Sequence, residues 1–130
     1  GGSLAKNRLY EAGEKWIKEL RIKTKNSQNP VTSLSGGNQQ RVVLAKWLAM
    51  NPHLMILNGP TVGVDIGSKR EILEIIRDRA KEGMAFLVVS DDIPELIQIC
   101  HRVIVIKSGQ ISKEFSEAEL DEKVLYKELS

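Results

Sequence analysis

Several things are scarce in this sequence, and each scarcity excludes something. One cysteine, Cys100, in 130 residues leaves no internal disulfide framework and fits a reducing compartment. Neither sign of charge dominates: 19 basic against 17 acidic side chains leave a formal +2, which gives no electrostatic case for nucleic acid. No apolar run approaches the roughly 18–20 residues that span a bilayer, and no signal-peptide pattern is present. Repeats and low-complexity tracts are missing as well. The expectation is a soluble, intracellular chain. Gly1-Gly2-Ser3 looks like a cloning scar and is left out of the fold reading. What remains is 42% hydrophobic, enough for one domain with its own core.

Residues 4–22 place Leu9, Ala12, Trp16, Ile17 and Leu20 at helical spacing. "KTKNSQNPVTS" then reads as a polar connection, with Pro30 biasing Asn29 away from helix. A second helix is expected after Ser35, stopping near Asn51-Pro52. "HLMIL" and "MAFLVVS" are continuously apolar and read as strands buried on both faces of a parallel sheet. Between them Ser68 and Glu71 have capping-box spacing at the head of a helix that Gly83 would end. Asp92 and Glu95 repeat that spacing, with Pro94 early in the next helix. "RVIVIKSGQISKEF" reads as two strands about a tight turn at Ser108-Gly109, and Ser116 and Glu119 cap a final short helix. Strands alternating with helices predict an α/β fold with a mainly parallel sheet.

The strongest chemical signal is "SLSGGNQQRVVLAKWLAMNPHLMIL". Two glycines before a helix let the backbone approach an anion, and the helix start offers unpaired N–H groups and partial positive charge. On Ser35-Gly36-Gly37 alone, an ordinary glycine-rich turn capped by serine is the favoured reading. Other single residues take structural readings. Trp16 and Trp47 read as core or subdomain-contact residues, His53 as a surface residue, and Cys100 as buried and inert. His101 reads as structural rather than a ligand. The interleaved charges of "SKREILEIIRDRAKEG" read as a solvated helix face.

The whole string resolves more than its glycines do. "LSGGNQQRVVLAKWLA" resembles the signature motif and following helix of ABC-type ATPases, and its Asn-Gln-Gln variant resembles the second half of fused carbohydrate-importer ATPases. The likeness continues over residues 4–115, through the Walker B region (54–59), a D-loop-like segment and "DDIPELIQICHRVIVIKSGQI". It implies the C-terminal portion of a RecA-like P-loop NTPase. Residues 4–51 would be a helical-subdomain remnant, 52–115 the C-terminal half of the ATPase core, and 116–130 a helical tail, with 1–3 as scar.

By that resemblance Leu34, Ser35, Gly36, Gly37, Asn38 and Gln39 form a signature that closes over nucleotide held by a partner half. Val62, Gly63, Val64 and Asp65 match the D-loop. Departures are equally informative. No G-x-x-x-x-G-K-[ST] motif and no glutamine loop occur in these 130 residues. Asn58 stands at the Walker B aspartate position, Gly59 at the general-base glutamate, and Asp91 where many relatives carry a switch histidine. An amide brings no compensating charge to magnesium, and glycine cannot orient or deprotonate water, a contribution of about 10² to 10⁴ in rate. No intact catalytic residue and no metal ligand set is therefore assigned.

The implied role is sugar import driven by ATP and Mg2+ in a longer parent, with neither expected to bind tightly to these residues alone. The implied partners are the other ATPase half, membrane permease subunits and, indirectly, a periplasmic sugar-binding protein. The implied location is peripheral, on the cytoplasmic face of a bacterial inner membrane. Self-association through unpaired sheet edges is expected. The alternative is a regulatory or assembly half that hydrolyses nothing. An ABC ATPase acting on DNA or ribosomes finds no basic face or inserted arm in its favour.

Overall fold

The computed structural model describes residues 2–130. Helix α1 (Gly2–Glu19) leads through a 3-10 turn (Val31–Ser33) to α2 (Gly36–Leu48). Strand β1 (Leu54–Asn58), α3 (Ile66–Lys81), β2 (Ala85–Val89) and α4 (Ile93–Ile99) follow. The hairpin β3 (Arg102–Lys107) and β4 (Gln110–Ser116) then leads through a second 3-10 turn (Glu117–Glu119) to α5 (Glu122–Leu129). This is the predicted α/β order. The expected single sheet is instead two pairs, β1–β2 parallel and β3–β4 antiparallel.

Packing explains the division. One core joins Leu20 and Ile22 with Leu44 and Leu48 of α2, Met55 of β1, and Ile72, Ile75 and Ile76 of α3. A second joins Ile93 of α4, Val103 and Val105 of β3, Phe115 of β4 and Leu125 of α5. Each fully buried aliphatic side chain contributes about 1.5–3 kcal/mol, so Ile72→Ala in the first core costs about 2–5 kcal/mol. The first core draws on residues both before and after Asn51-Pro52.

The strands correct one expectation. The apolar runs of β1 and β2 are buried on one face only. Register sets Ile56 beside Leu87 and Met55 beside Phe86. Met55 and Phe86 turn to the core, while Ile56 and Leu87 stand 63% and 52% exposed. A continuous apolar run fixes strand propensity but not how many of its faces find a partner. Trp47 is likewise corrected to a surface position at 53% exposure, and of the α1 stripe only Trp16, Ile17 and Leu20 reach the core. Leu9 and Ala12 do not.

Helix ends differ for definable reasons. Asp65, not Ser68, caps α3, because its carboxylate accepts the Ser68 N–H at 2.9 Å and the Ser68 hydroxyl at 2.7 Å. Ser116 and Glu119 do form a capping box, but it closes the 3-10 turn, and Asp121 caps α5. Asp92 caps α4 as expected, accepting the Glu95 N–H at 3.0 Å. The Asp92 N–H, however, donates to Ser90 Oγ at 3.1 Å rather than to Glu95. Gly83 (φ +100°) ends α3, and Ser108 and Gly109 (φ +50° and +78°) make the hairpin turn, both as predicted.

Candidate functional site

Residues 34–39 build the start of α2. Ser35, extended at φ −62° and ψ 157°, is its N-cap. The serine hydroxyl accepts from the Asn38 N–H at 3.4 Å and from Asn38 Nδ2 at 2.8 Å, and none of its described bonds uses its own proton. Asn38 is buried, and its Oδ1 accepts the Lys23 N–H at 2.7 Å. Gln39 Nε2 donates to the Leu34 carbonyl at 2.8 Å. Both amides thus hold the loop rather than face outward. What faces outward is Ser35 and Gly36, at a helix start whose first N–H groups have no intrahelical acceptor.

The start of α2 is clamped to the start of α3. A Cβ built on Gly37 would lie 2.3 Å from Ser68 Cβ and 2.1 Å from its Oγ, so only glycine fits. On Gly36 the nearest atom is the Gly63 carbonyl oxygen at 3.7 Å, an ordinary contact. Arg41, only 1% exposed, lies one turn on. It donates to the Gly37 carbonyl at 3.3 Å and the Arg21 carbonyl at 2.8 Å, and it pairs with Glu71 of α3. A buried guanidinium satisfied by two carbonyls and a carboxylate is costly to disturb. The structure therefore brings residues 34–39 beside residues 62–65, as one edge.

Asp65 belongs to that edge. The Ser68 N–H, followed by the Ser68 hydroxyl, holds its carboxyl below the ordinary carboxylate range. Gly63, at φ +75° with nothing near a built Cβ, is used for its backbone alone.

Asn58, Gly59 and Asp91 form a second group, at the C-terminal ends of the parallel strands. Asn58 pairs in register with Val89, and the Gly59 N–H donates to the Val89 carbonyl at 2.8 Å. The chain then turns back, with the Val62 N–H donating to the Gly59 carbonyl at 3.1 Å. That turn requires Gly59 at φ +57°, where a Cβ would stand 2.8 Å from Val62 Cγ2. Asp91 is exposed just beyond β2. The donor set does not suit a magnesium ion. Asn58 offers a neutral oxygen, Gly59 no side chain, and no group of three His, Cys, Asp or Glu side chains converges among the described residues. A cleft of about 410 Å3 near Trp16 and Arg79 includes none of these residues.

Residues 4–62 match the ABC transporter family model. Over 94% of its length the chain is 46% identical to the ribose import ATP-binding protein RbsA of Ruegeria sp. (strain TM1040), of which it spans 24%. The chain belongs to the ABC transporter ATPases. Another ABC relative, the xylose import ATP-binding protein XylG of Thermoanaerobacter pseudethanolicus, is 41% identical over 92% of this chain and 24% of its own length. Among solved cassettes, dimeric MJ0796 bound to ADP and Pi superposes on 82% of this chain with a TM-score of 0.71 and 26% identity, and 46% of that cassette is covered. The chain thus spans about a quarter of the curated ABC relatives and just under half of the solved cassette.

One polar network of the chain escaped the sequence reading. Thr61 donates to the buried carboxylate of Glu95, and Lys69 pairs with Asp92 and lies 3.7 Å from Glu95. Their signal was a buried acid three residues into a helix. That position also reads as a cap, and the cap reading obscured it.

Proposed function

We propose that this chain is the C-terminal portion of the second nucleotide-binding half of a sugar importer's ATP-binding subunit, and that its exposed α2 start completes a nucleotide site held by the other half. The observation that carries this reading is the edge itself. Ser35 and Gly36 are presented outward, while Asn38, Gln39, Gly37 and Arg41 are spent on fixing them in place. Bond-forming groups aimed at solvent on a rigid support suit an anion such as a triphosphate. The family's use of ATP and the import role of the ribose and xylose relatives supply the substrate class. The partners in this reading are the other ATPase half and permease subunits, with a periplasmic sugar-binding protein beyond them. The location is peripheral, at the cytoplasmic face of an inner membrane. No helix among the described residues is long and apolar enough to cross a membrane.

In this reading the Ser35 hydroxyl donates to a phosphate oxygen, the helix start stabilises its charge, and Gly36 lets the backbone come close. Residues 62–65 then adjoin the same interface. The half's own strand-end group contributes no general base.

Gly36→Asp in the full-length parent tests this cleanly. A side chain fits at Gly36, and an acid at the first helical position favours the helix, so folding is retained. Repulsion against a γ-phosphate should abolish transport and sugar-stimulated ATPase activity, whereas Gly36→Ala, which adds bulk without charge, should lower both by less. Ser35→Ala removes a hydrogen bond to a charged group, worth about 1.5–3 kcal/mol, and should lower turnover about ten- to a hundredfold. Full ATPase activity in Gly36→Asp overturns the proposal.

One observation favours a second reading, a half that binds partners without hydrolysis. The left-handed backbone at Gly59, with Val62 packed against it, excludes a general-base side chain there unless the turn rearranges. An intact Gly36→Asp parent would leave this reading standing.

A further inference from the structure

Among the described residues, Glu95 is the one buried acid, and the proposed function does not use it. Its side chain is 0% exposed, and three segments meet on it. Thr61, from the turn after Gly59, donates its hydroxyl to Oε2. Lys69, on the first turn of α3, lies 3.7 Å from the same oxygen and pairs with Asp92. Asp92 in turn accepts the Glu95 N–H at 3.0 Å, and its own N–H donates to Ser90 Oγ at 3.1 Å. Among the described residues, the side-chain hydrogen bonding from this turn to the segment after β2 passes through this one carboxylate.

From this geometry we infer that Glu95 is a positioning residue which locks the 59–65 turn to the 90–92 segment, so that the two strand-end groups move as a unit. It acts through Thr61 on one side and through Lys69 and Asp92 on the other, and touches no ligand. A charged hydrogen bond inside a protein is among the strongest available to a surface turn, and Thr61 has no other described side-chain partner. The link ties residues 62–65, which adjoin the α2 start, to Asp91 beyond β2. Its consequence for transport rests on the proposed function. The lock itself does not.

The test is made on the 130-residue chain without nucleotide, by amide NMR and hydrogen exchange. Thr61→Val is nearly isosteric and sits on a partly exposed turn, so it spares the core. It should shift amides in both 61–65 and 90–93 and speed exchange at Val62 about ten- to a hundredfold, leaving Leu44 and Ile72 unmoved. Thr61→Ser should restore the native pattern. Glu95→Gln should shift the same two segments, and the double variant should add little to either single change. Shifts from Thr61→Val confined to its own turn, failure of Thr61→Ser to rescue, or simple additivity would each overturn the inference. A change spread evenly over both cores would do so too, as the mark of general destabilisation. Because no nucleotide is involved, a coupled pattern beside an active Gly36→Asp parent would sink the functional reading and leave the lock in place.

Discussion

Gly37→Ala isolates the clamp between α2 and α3. Alanine gains at most about 1 kcal/mol over glycine in a helix, so propensity alone predicts stabilisation. Contact predicts the opposite. The new methyl would meet Ser68 Cβ at 2.3 Å and Oγ at 2.1 Å. Ser68 cannot swing away cheaply, because its hydroxyl and N–H are both held by Asp65, at 2.7 and 2.9 Å. Overpacking of this kind typically costs about 1–3 kcal/mol. Moving α2 instead would strain the Arg41 bonds to the Gly37 and Arg21 carbonyls. With the propensity gain set against it, the net loss should be up to about 2 kcal/mol.

Urea unfolding measures this as a lower midpoint at unchanged slope. Gly36→Ala is the control, since its methyl meets nothing closer than 3.7 Å, and it should be neutral or slightly stabilising. Ser68→Gly removes the obstructing Cβ and Oγ, so the double variant with Gly37→Ala should lose less than the two single losses combined, by about 1 kcal/mol or more. Equal stability of the Gly37→Ala and Gly36→Ala chains, or additivity with Ser68→Gly, would refute the clamp.

Three further outcomes are expected. Asn58→Asp should be nearly neutral in unfolding experiments, because the side chain is exposed, whereas Gly59→Glu should destabilise by about 1–2 kcal/mol from the left-handed backbone alone; adding Val62→Ala should return only the steric part. A Gly59→Glu chain as stable as its parent would refute this. The chain should self-associate at high concentration through Ile56 and Leu87, and Ile56→Thr with Leu87→Thr should suppress the effect in light scattering; a parent that stays monomeric would refute it. Hydrogen bonding to Lys69 keeps the Asp92 carboxyl below its usual range, and bonding to Asp92 raises Lys69. Asp92 therefore stabilises above its unfolded pKa of about 3.9, and this is lost as pH falls through the lower folded value. Lys69 stabilises below about 10.4, lost as pH rises through the higher folded value. Asp92→Asn should blunt the acid loss in urea midpoints, and an unchanged acid profile would count against the pair.

Element order was legible because it depends on local signals. Apolar spacing, Pro94, Gly83 and Ser108-Gly109 each act within a few residues of themselves. The α2 start was legible as a string for the same reason. Misreadings came where an acid had two possible uses. Asp65 lies three residues before Ser68, so it outcompeted the serine for the cap of α3 and recruited its hydroxyl. Glu95 stands where a capping partner would, but a buried route to Thr61 lies across 34 positions of sequence, and no local pattern encodes it. The bare face of β1 and β2 was invisible for a third reason. Ile56 and Leu87 look alike whether a neighbour covers them or not.

The backbone at Gly59 also bears on the proposed function. A lost carboxylate can be a late accident on an unchanged backbone, in which case restoring it restores the chemistry. Here the backbone has a matching form. Gly59 takes φ +57°, its carbonyl accepts the Val62 N–H, and Val62 Cγ2 occupies the space a side chain would need. In the proposed reading, the turn at Gly59 itself leaves no room for a general-base side chain. At the start of α2 the reverse holds. Gly37 is pinned by Ser68, Arg41 is buried among its three partners, and Gly36 alone has room. Under the proposed function, a structure that spends a buried guanidinium and two amides on holding one edge, while Val62 fills the space beside Gly59, would do unequal work at two sites. It predicts that substitutions at residues 35 and 36 act on the partner half's chemistry, and that those at 58 and 59 act chiefly on this half's own stability.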